Sequence, residues 1–372
     1  MNIAFINFNP LVYDVDTPYQ KPLGGSESAI CYLAEHLAKL GHKVILFTRF
    51  SKKSLKRGVF CLPFDKVPND ILASLDVLVV QNTPSHGSEM KKYLNEKAKL
   101  VLWTQHAHDQ PAVSSLLNPK IKKTFDAFVL ISRWQMDSYL FSFGLDKSKC
   151  VIIGNAIAPS FENLFSGKEN LISKKSQPPV LTYTSTPFRG LDLLIRLFPA
   201  IRRAVPGTVL RVYSSMAVYQ LSGKIEEEKY GNLYRLCRET EGVKYIGSIP
   251  QPKLAKELGE VSVLAYPNSF AETSCISVME AMAAGCQVIT SNLGALPETT
   301  AGFARLIPVK ENWHKYSENF IRETIAFLEQ FLGKDRGKIG EKLFEQTKFV
   351  NRNCTWTKKA QGWNKFLTKM FI

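Results

Sequence analysis

Apolar and polar residues come in short alternating blocks along this chain. Asn2 to Phe8 is an apolar run that ends in a polar loop, and Ser26 to Leu40 then places Ile30, Leu33, Ala34, Leu37 and Leu40 at helical spacing. Ser26 is the expected cap of that helix, and Gly41 is positioned to end it just beyond the C-cap. Lys43 to Thr48 is apolar and β-branched, so the chain up to Thr48 reads strand, loop, helix, strand, a βαβ unit. The rhythm continues through Asp76–Asn82, Lys99–Thr104, Asp126–Ser132 and Cys150–Asn155. Runs that are apolar at every position, rather than at alternate ones, predict strands buried on both faces of a parallel sheet.

From Ala158 to Pro179 the composition turns polar and ends in SKKSQPP, which predicts a linker over 161–179 between a first domain, 1–160, and a second, 180–350. In the second half PVLTYTS, TVLRVYSS, VKYIGSI, VSVLAYP and QVITSN read as strands, LDLLIRLFPAIRRAV and SCISVMEAMAAG as helices. The expected architecture is α/β, two Rossmann-like doubly wound domains facing one another across a cleft, with ligands outside the carboxyl ends of the strands. Asn351 to Ile372 carries Trp356, Trp363, Phe366, Met370 and Phe371 among lysines and reads as an amphipathic helix whose aromatic face needs a groove, on its own domain or on the first.

With 372 residues, 45% of them hydrophobic and 22% charged, the chain can bury two cores and is neither disordered nor fibrous. No repeat period is visible, and no apolar stretch approaches the roughly 18 residues of a spanning helix. The opening MNIAFINFNP has no basic n-region, so secretion by a signal peptide is not expected. Seven cysteines without a C-x-x-C pair fit reduced thiols and a cytoplasmic location. The net charge of +15 favours polyanions, anionic headgroups or phosphorylated substrates. SKKSLKR (51–57) and KIKK (120–123) suit an anionic bilayer at the inner face of the membrane, or are ordinary solvated lysines. The basic residues are spread through both halves without a nucleic-acid module, so nucleic acid is not an expected partner.

Two glutamates carry the sharpest chemical signal. Glu272 lies in a loop after a strand, and Glu280, after seven intervening residues, lies inside the following helix. Ser274 to Ile276 open that helix, and their N–H groups at the positive end of its dipole suit a diphosphate. Glu280, further in, is placed to accept from a vicinal diol such as a ribose. Gly24 and Gly25 follow the first strand and let backbone approach a ligand, although a helix-start turn uses the same residues and the nicotinamide fingerprint is absent. His106 and His108 lie just past the Lys99–Thr104 strand at the sheet edge. Arg189 precedes the first helix of the second half and suits a phosphate clamp. Asp14-Val15-Asp16 spells the D-x-D of some metal-binding sugar transferases, in a loop that gives no other support for a metal.

EGVKYIGSIPQPKLAKELGEVSVLAYPNSFAETSCISVMEAMAAGCQVITSNLGALPET, with LGGSESAICYLAEHLAKLGHKV, VLISRW and VIIGNAI, resembles the retaining glycosyltransferases of family 4, whose fold is GT-B. The resemblance implies that Glu280 binds the nucleotide ribose and that Glu272 lies beside the transferred sugar. Backbone groups of Thr273, Ser274, Cys275 and Ile276 would hold the diphosphate, with Gly24 and Gly25 approaching from the first domain. It implies a catalytic histidine, His106 with His108 as its rival, and Arg189 as one of the two basic residues on the diphosphate. TYTSTP has no arginine at the place of the other, and TSC stands where many members carry a Phe-Gly pair. The implied activity is transfer from a UDP- or GDP-linked sugar, with no further cofactor and no metal, to a saccharide, lipid-linked or other hydroxyl acceptor. The alternatives are an epimerase or phosphorylase on the same fold, or a non-catalytic polyanion binder.

Overall fold

The computed structural model describes residues 1–49, 52–309 and 312–372. The chain divides into two compact units: unit 1 comprises 1–20, 24–156 and 356–372, and unit 2 comprises 21–23 and 157–355.

Unit 1 is built on an eight-stranded sheet of β1 (Asn2–Asn7), β2 (Lys43–Thr48), β3 (Ser54–Lys56), β4 (Val59–Pro63), β5 (Val77–Gln81), β6 (Lys99–Trp103), β7 (Ala127–Leu130) and β8 (Cys150–Ile152), in the order β3-β4-β2-β1-β5-β6-β7-β8. All neighbours run parallel except β3 and β4, which pair antiparallel at the edge. The apolar runs become strands because both faces are covered: Ile3, Ala4, Phe5, Ile6 and Val77 to Val80 are inaccessible to solvent. Helix α1 (Gly25–Lys39) is buried from Glu27 to Leu37 and ends with Gly41 at φ +89°, as its periodicity predicts. Ser26 is not its cap. The helix starts one residue earlier, Gly24 is its N-cap, and the Ser26 carbonyl accepts from Gln81 Nε2 at 2.9 Å. Helix α2 (Arg133–Phe143) follows β7, with the Ser132 hydroxyl accepting from the Gln135 amide at its start.

Unit 2 contains a six-stranded parallel sheet of β9 (Val180–Tyr183), β10 (Val209–Val212), β11 (Val243–Tyr245), β12 (Val263–Tyr266), β13 (Gln287–Ser291) and β14 (Arg305–Ile307), ordered β11-β10-β9-β12-β13-β14. The segment anticipated as a linker over 161–179 is instead part of this unit. It forms helix α3 (Lys168–Lys174), Leu171 is fully buried, and Lys175 passes inside to donate from Nζ to the carbonyls of Val261 and Ala284, each at 2.7 Å. Burial without a carboxylate partner pulls the Lys175 pKa down to about 8. Helix α4 (Leu191–Ala204) buries Leu194, Ile195, Phe198 and Ile201, and α5 (Ile276–Ala283) lies between β12 and β13 in sequence.

After α6 (Trp313–Leu332) and α7 (Arg336–Asn353), the terminal helix α8 (Trp356–Lys369) returns to unit 1. Its aromatic face finds its groove there: the Trp363 ring meets Phe5 at 6.1 Å and Trp103 at 5.4 Å, and Trp356 lies 6.2 Å from Tyr32. No helix among the described residues is long and apolar enough to cross a membrane.

Candidate functional site

In unit 2 the sheet reverses its winding at β9, whose neighbours are β10 on one side and β12 on the other. The loops leaving β9 and β12 therefore meet at the switch point, the place where doubly wound sheets bind their ligands. Arg189 comes from the first loop and Glu272 from the second. A tight approach joins the loops: Gly190 has φ +115°, and a β-carbon there would stand 2.3 Å from the Pro267 carbonyl oxygen. Glu272 is fixed from the other side. Its carbonyl accepts from the Ala295 amide at 2.7 Å, and Gly294, at φ +60°, passes so close that a β-carbon would lie 2.4 Å from that carbonyl oxygen.

These constraints bring Arg189 and Glu272 together. Arg189 Nη1 donates to Oε1 at 2.8 Å and Oε2 at 3.0 Å of the Glu272 carboxylate, and the Tyr266 hydroxyl donates to Oε1 at 2.6 Å. Glu272 is 5% exposed at the side chain and Arg189 22%. The guanidinium also lies 4.6 Å from the Phe270 ring centroid. Burial works against the charge of Arg189, but the adjacent carboxylate outweighs it and holds the pKa above its ordinary value. The Tyr266 hydroxyl is pushed up by burial and then by Glu272. Several buried polar atoms that follow these central strands have no protein partner: Arg189 Nε and the hydroxyls of Thr184 and Thr186 after β9, with that of Ser214 after β10. Buried donors and acceptors left unpaired cost stability, so their collection at a sheet edge marks a place adapted to a polar ligand.

Cys275 is the N-cap of α5, and the first amides of the helix, as in any helix, have no intrahelical acceptor. Thr273 and Cys275 are buried, Ser274 and Ile276 half-buried. Glu280 lies within α5, not among the Arg189 contacts. It is 3% exposed, and Oε1 accepts from the Ala158 amide at 3.2 Å. Burial raises its pKa to about 8, against the opposing pull of the Ala158 amide and the Gln251 side chain.

Gly24, Gly25, His106 and His108 belong to unit 1. Gly24 is extended at φ −58°, ψ 152°, and Gly25 is the first residue of α1. His106 sits in the loop after β6. Its carbonyl accepts from Gln135 Nε2 at 2.7 Å and Tyr139 Oη at 2.9 Å, and Nδ1 pairs with Gln110 Oε1. With that oxygen as acceptor, the neutral ring is the Nδ1–H tautomer. Nδ1 of His108 is buried without a partner, and the ring lies 6.5 Å from Trp134.

The two aspartates of D-x-D are each taken by a cation: Asp14 by Lys56 at 2.6 Å, Asp16 by Arg57 at 2.7 Å. The same contacts use Lys56 and Arg57 of the basic run 51–57, of which Ser51 lies outside the described residues. In the second basic run Lys122 donates to the Phe143 carbonyl, while Lys120 and Lys123 are exposed. Among the described residues no three His, Cys, Asp or Glu side chains group to hold a metal ion.

Known proteins resemble the chain at three levels. The family profile described as Glycosyltransferase Family 4 matches residues 23–161, and that described as Glycosyl transferases group 1 matches residues 178–322. A curated relative from Arabidopsis thaliana, a subunit of phosphatidylinositol N-acetylglucosaminyltransferase, is 22% identical over 74% of this chain, which spans 66% of that protein's length. Among solved structures, a glycosyltransferase from Rickettsia africae superposes with a TM-score of 0.72 at 15% identity, covering 99% of this chain and 98% of that one. Sucrose-phosphate synthase of Thermosynechococcus elongatus gives 0.69 at 14% identity over 100% and 99% of the two chains. The Anabaena protein HepE, solved with UDP and glucose, gives 0.67 at 13% identity over 99% and 100%.

Proposed function

The chain belongs to glycosyltransferase family 4 and has the GT-B fold, and on that premise we propose that it is a retaining transferase using a nucleotide-diphospho-sugar. The observation that carries this reading is the set of unpartnered buried polar atoms, Arg189 Nε and the Thr184 and Thr186 hydroxyls, at the switch point of the unit 2 sheet. A diphosphate supplies acceptor oxygens for all three, and the amides of Thr273, Ser274 and Cys275 leading into α5, with that of Ile276 at its start, supply further donors. Glu280, beyond them along the helix, takes the ribose diol, and Glu272 faces the transferred sugar.

The chemistry this arrangement supports is stabilisation of charge as it develops. When the bond to the anomeric carbon breaks, negative charge grows on the departing diphosphate, where Arg189 and the helix amides oppose it. The acceptor hydroxyl then bonds to the oxocarbenium-like centre on the face the leaving group vacates, and its proton passes to the departing diphosphate oxygen, where the negative charge has grown. His106, held by Gln110 and with its carbonyl anchored by Gln135 and Tyr139, is assigned to the reacting sugar, with His108 as the rival. Gly24 and Gly25 are assigned to the diphosphate. The donor is UDP- or GDP-linked, no further cofactor is required, and the acceptor is a saccharide or lipid-linked hydroxyl. Lys120 and Lys123 suit an anionic bilayer surface that would present a lipid-linked acceptor on the cytoplasmic side.

The test is to incubate the protein with UDP- and GDP-linked sugars and lipid-linked or free saccharide acceptors. Nucleoside diphosphate release and the anomeric configuration of the product are then followed by NMR. Acceptor-dependent release with configuration retained supports the reading; an inverted anomer, or an isomerised sugar nucleotide without transfer, contradicts it.

A further inference from the structure

The Arg189–Glu272 pair has a consequence for affinity that neither residue has alone. Both carboxylate oxygens of Glu272 lie within 3.0 Å of Arg189 Nη1, and the Tyr266 hydroxyl holds Oε1 from a second direction. The Ala295 amide and the close passage of Gly294 pin the backbone of the same residue. The carboxylate is therefore held against the guanidinium by contacts from two sides and by its anchored backbone. We propose that Glu272 is a built-in competitor for Arg189, lowering the affinity of the site for a diphosphate and speeding release of the nucleoside diphosphate product. This inference rests on the donor-site reading above and adds to Glu272 a role distinct from its place beside the sugar.

While the pair is intact its two charges cancel, so attraction comes from the α5 amides and the orphan Nε and hydroxyl groups. Removing the carboxylate charge without changing its shape leaves the guanidinium with no anionic partner. It then turns wholly to the ligand. Glu272→Gln should bind a nucleoside diphosphate about tenfold tighter than wild type, in a manner that weakens with salt. Its turnover should fall, because release of the tightly held product slows and the group beside the sugar is altered. Loss of turnover alone would follow from any damage to the site. Tighter product binding would not.

The experiment titrates UDP, GDP and ADP calorimetrically into wild type and Glu272→Gln. Binding of one diphosphate by wild type with tightening of threefold or more in the variant is the expected result. Binding by wild type with equal or weaker binding by a folded variant overturns the competitor role and leaves the donor-site reading standing. No binding of any of the three by either protein overturns both. If Glu272→Gln does not fold, because it strands a buried guanidinium, R189M/E272Q removes both charges and is compared with wild type. Affinity within about threefold of wild type is expected, since attraction and competition are lost together, and a loss beyond about thirtyfold overturns the proposal.

Discussion

A buried carboxyl whose pKa is raised destabilises the fold wherever the unfolded chain would ionise it and the native protein resists. Glu280 is such a group: burial lifts it from 4.5 to about 8, with only the Ala158 amide and Gln251 favouring its charge. Over the window from about 4.5 to about 8 the native state binds more protons than the unfolded state, so stability falls as pH rises through it. Between pH 6 and pH 8 the unfolded glutamate is ionised throughout while the native one goes from protonated to about half ionised, which costs about 2 kcal/mol at 1.36 kcal/mol per unit. For a domain of this size that is about 4–8 °C in Tm. Glu280→Gln has nearly the same shape and no titration. Thermal unfolding followed by circular dichroism at pH 6, 7 and 8 should show wild type losing about 4–8 °C relative to the variant. Parallel curves for the two proteins would refute the assignment of a buried, protonated Glu280.

Three other outcomes follow from the geometry. Trp363→Ala removes the ring that fills the space between Phe5, Trp103 and Phe366, and urea unfolding should register a loss of about 3–5 kcal/mol. Gly190→Ala forces a β-carbon onto the Pro267 carbonyl at a left-handed φ, so it should cost about 2 kcal/mol or more in the same assay and weaken nucleoside diphosphate binding by displacing the Arg189 loop. His106→Ala should lower kcat in the transfer assay while donor affinity stays within about twofold, since the His106 carbonyl keeps its bonds to Gln135 and Tyr139 when the ring and its contact with Gln110 are removed.

Much of the fold could be read from the chain because a strand buried on both faces must be apolar throughout, and Val77–Val80 and Val263–Tyr266 are. β3, β4 and β14 escaped the same reasoning. β3 is three residues of SLK, β4 alternates an exposed Phe60 with buried neighbours, and β14 is three residues long. The polar stretch around Lys168–Lys175 imitated a linker because a lysine that enters the interior to satisfy two carbonyls has no local signature. Conversely the aromatic face of α8 was visible, whereas its destination in unit 1 depended on a groove formed by Phe5, Trp103 and Tyr32, which are far away in sequence.

The candidate site was legible where spacing carried it. Glu272 and Glu280 fall on a loop and its following helix because seven residues separate them. The contact between Glu272 and Arg189 was not, since the two stand 83 positions apart and only the switch-point topology joins their loops. Tyr266, Thr184 and Thr186 read as ordinary residues at or just past strand ends. The available signal was their position: polar groups at the carboxyl ends of the two strands that flank a winding reversal line the crevice. D-x-D misleads in the opposite direction, because the lysine and arginine that neutralise it stand about 40 residues later on an antiparallel hairpin the sequence did not announce.

If unit 2 holds a nucleoside diphosphate through Arg189, the α5 amides and Glu280, isothermal titration of the full chain with UDP, GDP and ADP, without added metal, shows it directly. Selective binding of one of the three by wild type is expected, weakened at least about tenfold by Glu280→Ala. Failure of all three to bind wild type, or equal affinity in wild type and Glu280→Ala, would contradict that assignment.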